Sequence, residues 1–335
     1  MSNQSSLIIA EVGSVHDGSF GNAKHLIETA ATCGADAVKF QTHIAAAETL
    51  HHAPSPPYFT GEPRYEYFER TAFTRTQWKG LRDHCDQHKV EFLSSPFSVE
   101  AVELLEDIGV ASYKIGSGEV SNIPLLEAVA DTRKPILLSS GMSTWAELDE
   151  AVQTILRTHD RLTLLQCTSE YPCSYDQVGL NVMQEMRERF KLPVGLSDHT
   201  LTSYASIAAV VLGASVIEKH LTFSRRMYGS DAKHSLEPDE FAELVQGIRA
   251  VETILGSPVD KDAKAVALGE MKKIFEKSVV SVVDIPAGSV LSADMLAVKK
   301  PGTGIPARQL KEILGQRVVR QIHKDAVLRE EDLDA

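Results

Sequence analysis

The stretch Ala35-Asp36-Ala37-Val38-Lys39-Phe40-Gln41 is a short, mostly apolar run of the kind that forms a buried strand. Runs like it alternate along the chain with amphipathic helical stretches, which is typical of parallel β/α units. Two of the predicted helices are Trp145–Leu156 and Pro238–Leu255. The predicted strands number eight: Leu7–Val12, Ala35–Gln41, Val90–Ser95, Ala111–Gly116, Pro135–Ser139, Leu162–Cys167, Pro193–Ser197 and Ser215–Lys219.

Eight β/α units in about 250 residues are what a closed (β/α)8 TIM barrel requires. The alternative is an open doubly wound sheet, which usually carries a G-x-G-x-x-G phosphate turn after its first strand. The segment Glu11-Val12-Gly13-Ser14-Val15-His16-Asp17-Gly18 lacks that spacing. The sequence therefore predicts an α/β protein with a TIM-barrel catalytic domain over residues 1–256.

The chain has 335 residues, more than the roughly 250–300 that one hydrophobic core usually supports. The β/α pattern stops at Gly256-Ser257-Pro258, and a charged stretch then runs to Lys277. We predict a solvated, helical linker over 257–277 and a small β-rich domain over 278–335. In that domain Ile285-x-x-Gly288-x-Val290-Leu291 recurs as Ile322-x-x-Asp325-x-Val327-Leu328, which predicts two related β-turn units packed together.

Composition excludes several classes of function. The net charge of −12 argues against a broad nucleic-acid-binding face. No apolar run approaches the roughly 20 residues of a membrane span, and Met1–Ser6 has neither the basic start nor the apolar core of a secretory signal. The four cysteines form no Cys-x-x-Cys pair, so neither disulfides nor a zinc ribbon is indicated. We expect a cytoplasmic protein with small-molecule substrates and no nucleic-acid or membrane partner.

Every predicted strand ends in polar residues. In a TIM barrel the loops after the strands meet at one mouth, so these residues are expected to lie close together. A single strand-end serine is more often a cap or a surface residue, but polar ends on all eight strands indicate a site. In chain order they are Glu11; Lys39 and Gln41; Ser94 and Ser95; Lys114, Ser117 and Glu119; Ser139 and Ser140; Gln166 and Thr168; Ser197, Asp198 and His199; Glu218, Lys219 and His220.

Two of these residues, Lys39 and Lys114, lie inside otherwise apolar strands. A buried ammonium group is costly without a counter-charge. A bound phosphate or carboxylate supplies that charge, and nearby serine hydroxyls donate to its remaining oxygens. The pattern therefore predicts a site for a small anion.

A metal site is predicted beside the anion. His199 and His220 end neighbouring strands, and Glu11 ends the strand that closes the barrel next to the eighth. A lone strand-end histidine is more often a hydrogen-bonded core residue, and it is the pair that favours a divalent cation such as Mn²⁺, Zn²⁺ or Fe²⁺. Other histidines, without partners at ligand spacing, are expected to be solvated: His51, His52, His84, His88, His159 and His323.

The connection after the second strand is unusually long. Its segment Ala53-Pro54-Ser55-Pro56-Pro57-Tyr58-Phe59 is too rich in proline to be helical. A lid over the site and a simple surface excursion both fit this pattern.

The sequence resembles the sialic acid synthase family, which includes N-acetylneuraminate, legionaminate and pseudaminate synthases. The resemblance covers nearly the whole chain, and in the tail Lys299-Lys300-Pro301-Gly302-Thr303-Gly304-Ile305 resembles the antifreeze-like (SAF) domain that closes these enzymes. In the barrel it is carried by Ile8-Ile9-Ala10-Glu11-Val12-Gly13 with His16-Asp17-Gly18, Gly34–Thr42, Ser94-Ser95-Pro96-Phe97, Tyr113–Glu119, Leu138-Ser139-Ser140-Gly141-Met142, Cys167–Pro172, Gly195-Leu196-Ser197-Asp198-His199-Thr200, Ile217-Glu218-Lys219-His220 and Ser235–Glu240.

The resemblance implies an enzyme that condenses phosphoenolpyruvate with an N-acylated hexosamine, either N-acetylmannosamine or a 2,4-diacetamido-6-deoxyhexose. The products are a nine-carbon ulosonic acid and phosphate. It implies a divalent metal on His199 and His220, Mn²⁺ foremost, with Mg²⁺, Co²⁺, Zn²⁺ and Fe²⁺ as alternatives, and Glu11 as the base that directs water onto C2. The implied phosphoenolpyruvate residues are Lys39, Ser95, Lys114, Ser117, Ser139 and Ser197, and the implied sugar residues are Gln41, Glu119, Tyr171, Glu218, Asp231 and Lys300.

In this family the antifreeze-like domain covers the partner's barrel, so the resemblance also implies a domain-swapped homodimer. Three positions depart from the family pattern. Val15 replaces the usual Asn of an Asn-His motif, Ser169 replaces an Asn found in some members, and Lys300 replaces an Arg that often reaches the acyl group. Lysine cannot reproduce the bidentate guanidinium fork, so the departures bear on the acceptor more than on the reaction.

Two other functions fit parts of the pattern. A metal-dependent pyruvate aldolase would keep the barrel and the metal but use free pyruvate as the donor. A non-enzymatic carbohydrate- or ice-binding protein would use the antifreeze-like tail, and the polar strand ends would then serve no purpose.

Overall fold

The structure, a computed structural model, describes residues 5–54 and 62–334, and within these ranges eight parallel strands close into a barrel in sequential order. The predicted TIM barrel is confirmed, and no predicted strand end differs from the observed one by more than two residues. The strands are β1 (Leu7–Gly13), β2 (Ala37–Thr42), β3 (Glu91–Pro96), β4 (Tyr113–Ile115), β5 (Ile136–Ser139), β6 (Leu162–Cys167), β7 (Val194–Asp198) and β8 (Val216–His220).

Helices surround the barrel, and several begin at residues that suit a helix N-terminus. Thr74 and Thr144 each form a capping box with the Gln or Glu three residues later, which satisfies free backbone N–H groups. The predicted proline-rich excursion at 53–59 falls largely on residues outside the described ranges. The helices are α1 (Phe20–Thr32), α2 (Ala45–Glu48), α3 (Arg64–Thr71), α4 (Arg75–His88), α5 (Val99–Ile108), α6 (Ile123–Asp131), α7 (Trp145–Leu156), α8 (Leu180–Phe190), α9 (Tyr204–Val211) and α10 (Pro238–Gly256).

The barrel interior is layered because alternate side chains of a strand point inwards. A lower layer is apolar and packs as one cluster, consisting of Ile9, Ala37, Leu93, Leu137, Leu165 and Val216. Two residues further along the same strands the side chains are polar and still buried: Glu11, Lys39, Ser95, Ser139, Cys167 and Glu218. The polar strand ends therefore stand on an apolar floor, at the carboxyl end of the barrel.

The chain divides into two compact units, one ending at Ser257 and one beginning at Pro258. The second unit contains α11 (Lys261–Ala267), α12 (Gly269–Phe275) and an antiparallel pair, β9 (Ser278–Ser281) and β10 (Leu296–Lys299). Its core is small and apolar, with nine buried residues: Val279, Ile285, Leu291, Leu296, Ile305, Ile313, Val318, Ile322 and Leu328.

The predicted internal repeat of the second unit is confirmed. Ile285 and Ile322, which occupy equivalent positions in the two copies, exchange backbone hydrogen bonds of 2.8 and 2.9 Å. Gly288 and Asp325, also equivalent, both have a positive φ, of 80° and 65°, so each copy makes the same kind of turn. Two related turn units thus pack face to face.

The linker is helical and exposed along nearly its whole length, as the sequence predicted. Large apolar side chains of this segment are exposed within the chain: Val266, Leu268, Met271, Ile274 and Phe275. As for membranes, no helix in the part of the chain that the structure describes combines the length and the apolarity that crossing a bilayer requires.

Candidate active site

Four buried charges meet at the carboxyl end of the barrel. The Lys39 ammonium lies 2.8 Å from a carboxylate oxygen of Glu11 and 3.7 Å from one of Glu218. The Lys114 ammonium lies 3.5 Å from the other oxygen of Glu218. Each of these four side chains is at most 5% exposed, so the charges interact with little screening from water. The structure thus brings the two predicted lysines together on one carboxylate.

The pKa values of this cluster follow from burial and from its opposite charges. Burial alone raises the pKa of Glu218, but Lys114 and Lys39 outweigh it and hold that pKa at about 2. Burial also dominates at Glu11, whose pKa is raised even though Lys39 opposes the shift. One carboxyl is therefore firmly ionised, and the other accepts a proton more readily than an exposed glutamate does.

Serine hydroxyls surround the two lysines. Ser95 Oγ lies 3.3 Å from Lys39 Nζ, and Ser197 Oγ donates to Glu218 at 2.9 Å. Ser139 Oγ is buried and has no hydrogen-bond partner among residues 5–54 and 62–334. A buried hydroxyl without a partner is costly, and a bound anion would satisfy it.

Ser117, which follows β4, lies close to the backbone of Gly141, which follows β5. A Cβ atom on Gly141 would lie 2.6 Å from Ser117 Oγ and would also collide with Ser169 Oγ. Glycine is therefore needed after β5 if Ser117 is to keep its place. Ser169, one of the three departures from the family pattern, faces the same point.

The two predicted metal ligands lie side by side. The ring centroids of His199 and His220 are 5.5 Å apart, and both side chains are buried. His199 Nδ1 donates to the carbonyl oxygen of Thr168 at 2.8 Å, which leaves Nε2 as a lone-pair donor. His220 Nδ1 has no hydrogen-bond partner in the described ranges, and burial lowers the pKa of this imidazole to about 4. Both rings therefore suit a divalent cation.

The third ligand suggested by the sequence does not join this pair. Both oxygens of Glu11 are engaged, one by Lys39 and the other by Gln41 Nε2 at 2.8 Å. His199 instead has Cys167 as a further neighbour, whose Sγ lies 4.0 Å from His199 Nδ1. Burial opposes the thiolate, but His199 outweighs it and lowers the pKa of Cys167 to about 7.

A buried ion pair holds the loop that carries His199. Asp198 ends β7 and lies opposite Lys219 of β8, with 2.9 Å between carboxylate and ammonium. Lys219 also donates to the Thr202 carbonyl at 3.0 Å, and Asp198 accepts from Thr200 N at 2.8 Å. Asp198 and Lys219 each adjoin a predicted metal ligand in the chain, so their pairing fixes both backbones.

The predicted sugar residues belong to or follow β2, β4, β6 and β8, with one exception. Tyr171 has its ring centroid 4.2 Å from that of His199, Asp231 accepts from the backbone and hydroxyl of Ser14, and Glu119 accepts from Asn122 at 2.8 Å. Burial raises the pKa of Glu119. The exception is Lys300, which belongs to the second unit and lies 4.8 Å from the Phe275 ring centroid.

One rim residue was missed by the sequence analysis. His43, just after β2, stacks between Phe68 and Phe97 at centroid distances of 3.6 and 4.2 Å. Its ring nitrogens contact Glu48 at 2.8 Å and Gln41 at 3.1 Å. The only signal available was its position two residues beyond Gln41, which does not reveal the aromatic partners.

Val15, one of the three departures from the family pattern, is buried in the core.

A TIM barrel whose rim combines two buried lysines, two buried carboxylates and an imidazole pair has the arrangement of an enzyme active site. Residues 26–260 match the model of the NeuB family, and residues 276–334 match the SAF domain. The chain therefore belongs to the NeuB family of sialic-acid-type synthases, as the resemblance predicted, and it is an enzyme.

Named relatives agree with this family. The chain is 39% identical to the N,N'-diacetyllegionaminic acid synthase of Campylobacter jejuni, over 97% of this chain and 99% of that protein. It is 36% identical to the N-acetylneuraminate-9-phosphate synthase of Mus musculus, over 98% and 92%. The crystal structure of the N-acetylneuraminic acid synthetase of Leptospira borgpetersenii with citrate superimposes with a TM-score of 0.72 at 30% identity, covering 81% and 92%. The non-enzymatic alternative loses its support.

Proposed function

We propose that this enzyme condenses phosphoenolpyruvate with an N-acylated hexosamine and releases phosphate and a nine-carbon ulosonic acid. The observation that carries the proposal is the convergence of Lys39 and Lys114 on Glu218. Two buried ammonium groups on separate strands, with serine hydroxyls beside them, suit a ligand that carries a phosphate and a carboxylate. The names of the relatives support an amino sugar as the acceptor.

Charge balance supports a divalent ion next to this donor. Lys39 and Lys114 are offset by Glu11 and Glu218, so the four side chains carry no net charge when all are ionised. Phosphoenolpyruvate brings roughly −2.5 to −3 at neutral pH, from one phosphate and one carboxylate. Binding so much charge in a buried site requires added positive charge. We therefore expect phosphoenolpyruvate to bind more tightly when the ion is present.

His199 and His220 are the residues proposed to hold this ion, with Mn²⁺ foremost. When bound, it supplies Lewis acidity that polarises the aldehyde of the open-chain sugar for attack by C3 of phosphoenolpyruvate. Lys39, Lys114 and the serines orient the donor and stabilise the phosphate that leaves. Glu11, whose pKa burial raises, is proposed to take a proton from the water that adds to C2.

The acceptor side of the rim is assigned to Gln41, Glu119, Tyr171, Glu218 and Asp231. Gln41 links Glu11 to His43, so contact with the sugar is coupled to the position of the proposed base. Ser169, whose Oγ lies next to Gly141, is smaller than the Asn of some family members, and we expect this difference to bear on which acceptor fits. Screening acceptors is therefore the step that identifies the product.

We also infer that the chain forms a dimer in which the second unit reaches a partner's barrel. Support comes from the exposed apolar side chains of the linker, among them Val266 at 81% and Ile274 at 60% exposure. Exposed apolar residues this dense are typical of an interface. Lys300 would then contact the sugar bound by the partner subunit. Deleting residues after Lys277 should weaken acceptor binding more than phosphoenolpyruvate binding, and equal loss of both would contradict this role.

The test is phosphate release from phosphoenolpyruvate with N-acetylmannosamine, its 6-phosphate and a 2,4-diacetamido-6-deoxyhexose as acceptors. One acceptor should support metal-dependent release, and His199→Ala and His220→Ala should each abolish it in a folded protein. His323→Ala, in an exposed side chain of the second unit, is the matched control and should remain active. Product formation from free pyruvate without phosphate release would favour the aldolase alternative. Normal activity in either rim variant would remove the metal from the mechanism.

A further inference from the structure

A second group of metal-binding side chains lies away from the rim, on helices α1 and α4, which pack together outside the barrel. Glu28 of α1 and His84 and His88 of α4 place one ligand atom each within 4.8 Å of one another. The expectation that His84 is solvated was wrong, because its side chain is only 11% exposed and its Nε2 lies 3.0 Å from Glu28 Oε1.

The spacing of these residues explains the cluster. His84 and His88 are four residues apart, so they lie on the same face of α4, and their ring centroids are 4.6 Å apart. That face meets α1 at Glu28. Neither ring nitrogen of His88 has a hydrogen-bond partner within the described ranges, so either nitrogen, in the tautomer that leaves it unprotonated, is open to a ligand.

A third imidazole lies at the same carboxylate. His25 is one turn before Glu28 on α1, and its Nδ1 lies 2.9 Å from Glu28 Oε2. Each oxygen of Glu28 therefore contacts an imidazole, and the hydrogen bond from His25 lowers the pKa of this carboxyl. The carboxylate is ionised at neutral pH, which is the form that binds a cation.

We propose that His84, His88 and Glu28 form a second divalent-metal site, completed by His25 or water, which takes Zn²⁺. Two or three imidazoles and one carboxylate are a ligand set for tetrahedral zinc. Ligands at zinc lie about 3.4 Å from one another, so the present atoms need only small side-chain rotations to close around an ion. Imidazole-rich sites bind Zn²⁺ more tightly than Mn²⁺. Because the rim also offers two imidazoles, the two sites are separated by substitution in the test below.

The consequence of binding is structural. Helix α1 follows the first strand, whereas α4 follows the long connection between β2 and β3. An ion shared by Glu28 and His84 would tie these two helices together across more than fifty residues of chain. A ligand that binds only the folded state raises stability by mass action, so Zn²⁺ should raise the melting temperature.

The test uses the full chain carrying His199→Ala and His220→Ala, so that the rim cannot bind the ion. Zn²⁺ titration by calorimetry should give one site per chain and a higher melting temperature. Removing a residue that only hydrogen-bonds to a metal ligand typically weakens metal binding by about tenfold or more. His88→Ala removes a proposed ligand itself, so adding it to this background should weaken Zn²⁺ binding by no less than that. Glu28→Gln should do the same, and His323→Ala should not.

Two results would overturn the proposal: no Zn²⁺ binding in the rim-deficient protein, or binding that His88→Ala and Glu28→Gln both leave unchanged. His88→Ala in the otherwise intact enzyme provides a further check. His88 is an exposed residue remote from the rim, so Mn²⁺-supported condensation should be retained in this variant. In the rim-deficient background, by contrast, His88→Ala should remove the Zn²⁺-induced rise in melting temperature, and a rise that survives there would place the zinc elsewhere and contradict the site.

Discussion

Lys114→Met removes one of the two buried cations of the rim at nearly constant side-chain volume. Lys114 Nζ lies 3.5 Å from Glu218, and the side chain is 3% exposed. Losing one partner of a buried ion pair costs about 3–5 kcal/mol when the other charge is left alone. Here Glu218 keeps Lys39 at 3.7 Å and the hydrogen bond from Ser197 at 2.9 Å, and Glu11, whose pKa burial raises, can take up a proton, so the cluster stays compensated. The variant should therefore fold.

The cost should appear in donor binding instead. A hydrogen bond to a charged group is worth about 1.5–3 kcal/mol. Its loss raises the KM for phosphoenolpyruvate by about 10- to 150-fold if KM follows affinity. The KM for the acceptor should change much less, because Lys114 is assigned to the donor. Steady-state kinetics with each substrate varied in turn, together with thermal unfolding, separates these effects.

Lys79→Met is the matched control, because Lys79 is exposed on α4 and the substitution changes the net charge equally. It should leave both KM values unchanged. A folded Lys114→Met enzyme with an unchanged KM for phosphoenolpyruvate would refute the assignment of this lysine. So would an equal rise of KM for both substrates, since that pattern indicates a general disturbance of the rim.

Three further predictions concern the supports of the site. Burial lowers the pKa of His16 to about 4, so as the pH falls the unfolded chain takes up a proton before the folded chain does. The stability that is present above pH 6.5 is therefore lost as the pH falls towards 4, and denaturant titrations should show a loss of about 2 kcal/mol between pH 7 and 5. An equal decrease in His16→Gln would contradict this prediction. Lys219→Met leaves the buried Asp198 carboxylate without its cation and should cost about 3–5 kcal/mol of unfolding free energy, whereas a cost below about 1 kcal/mol would mean that the pair does not hold the loop. Gly141→Ala places a methyl group against Ser117 and Ser169, with a strain of about 1–3 kcal/mol, and should raise the KM for phosphoenolpyruvate. An unchanged KM would show that the two serine side chains move aside without loss of donor binding.

Much of the fold could be predicted because each strand is marked locally. The apolar residues of Ala37–Thr42 predict a strand. Side chains of a strand point alternately to its two faces, so Lys39, two residues beyond Ala37, points into the barrel interior as Ala37 does. The same alternation explains why residues at equivalent positions near the carboxyl ends of the strands meet at one rim. Once a barrel was predicted, the grouping of Lys39, Lys114, His199 and His220 followed from topology.

Other features required three-dimensional register that no local pattern contains. The sequence offered Glu11 as a metal ligand, but its carboxylate turns to Lys39 and Gln41, a choice set by which partner is nearer in the folded barrel. Glu28 and His84 are more than fifty residues apart and meet only because α1 and α4 pack at one particular offset. The exposed apolar face of the linker was concealed by its high content of charged residues.

Metal-dependent phosphate release tests the central proposal most directly. The enzyme, stripped of metal by a chelator, is mixed with phosphoenolpyruvate and the acceptor panel, with and without added Mn²⁺, and phosphate and the nine-carbon acid are quantified. We predict equal amounts of both products, only with Mn²⁺ and only with an accepted N-acylated hexosamine, and none in His199→Ala. Undiminished product from the stripped enzyme, or nine-carbon acid formed from free pyruvate, would contradict the account.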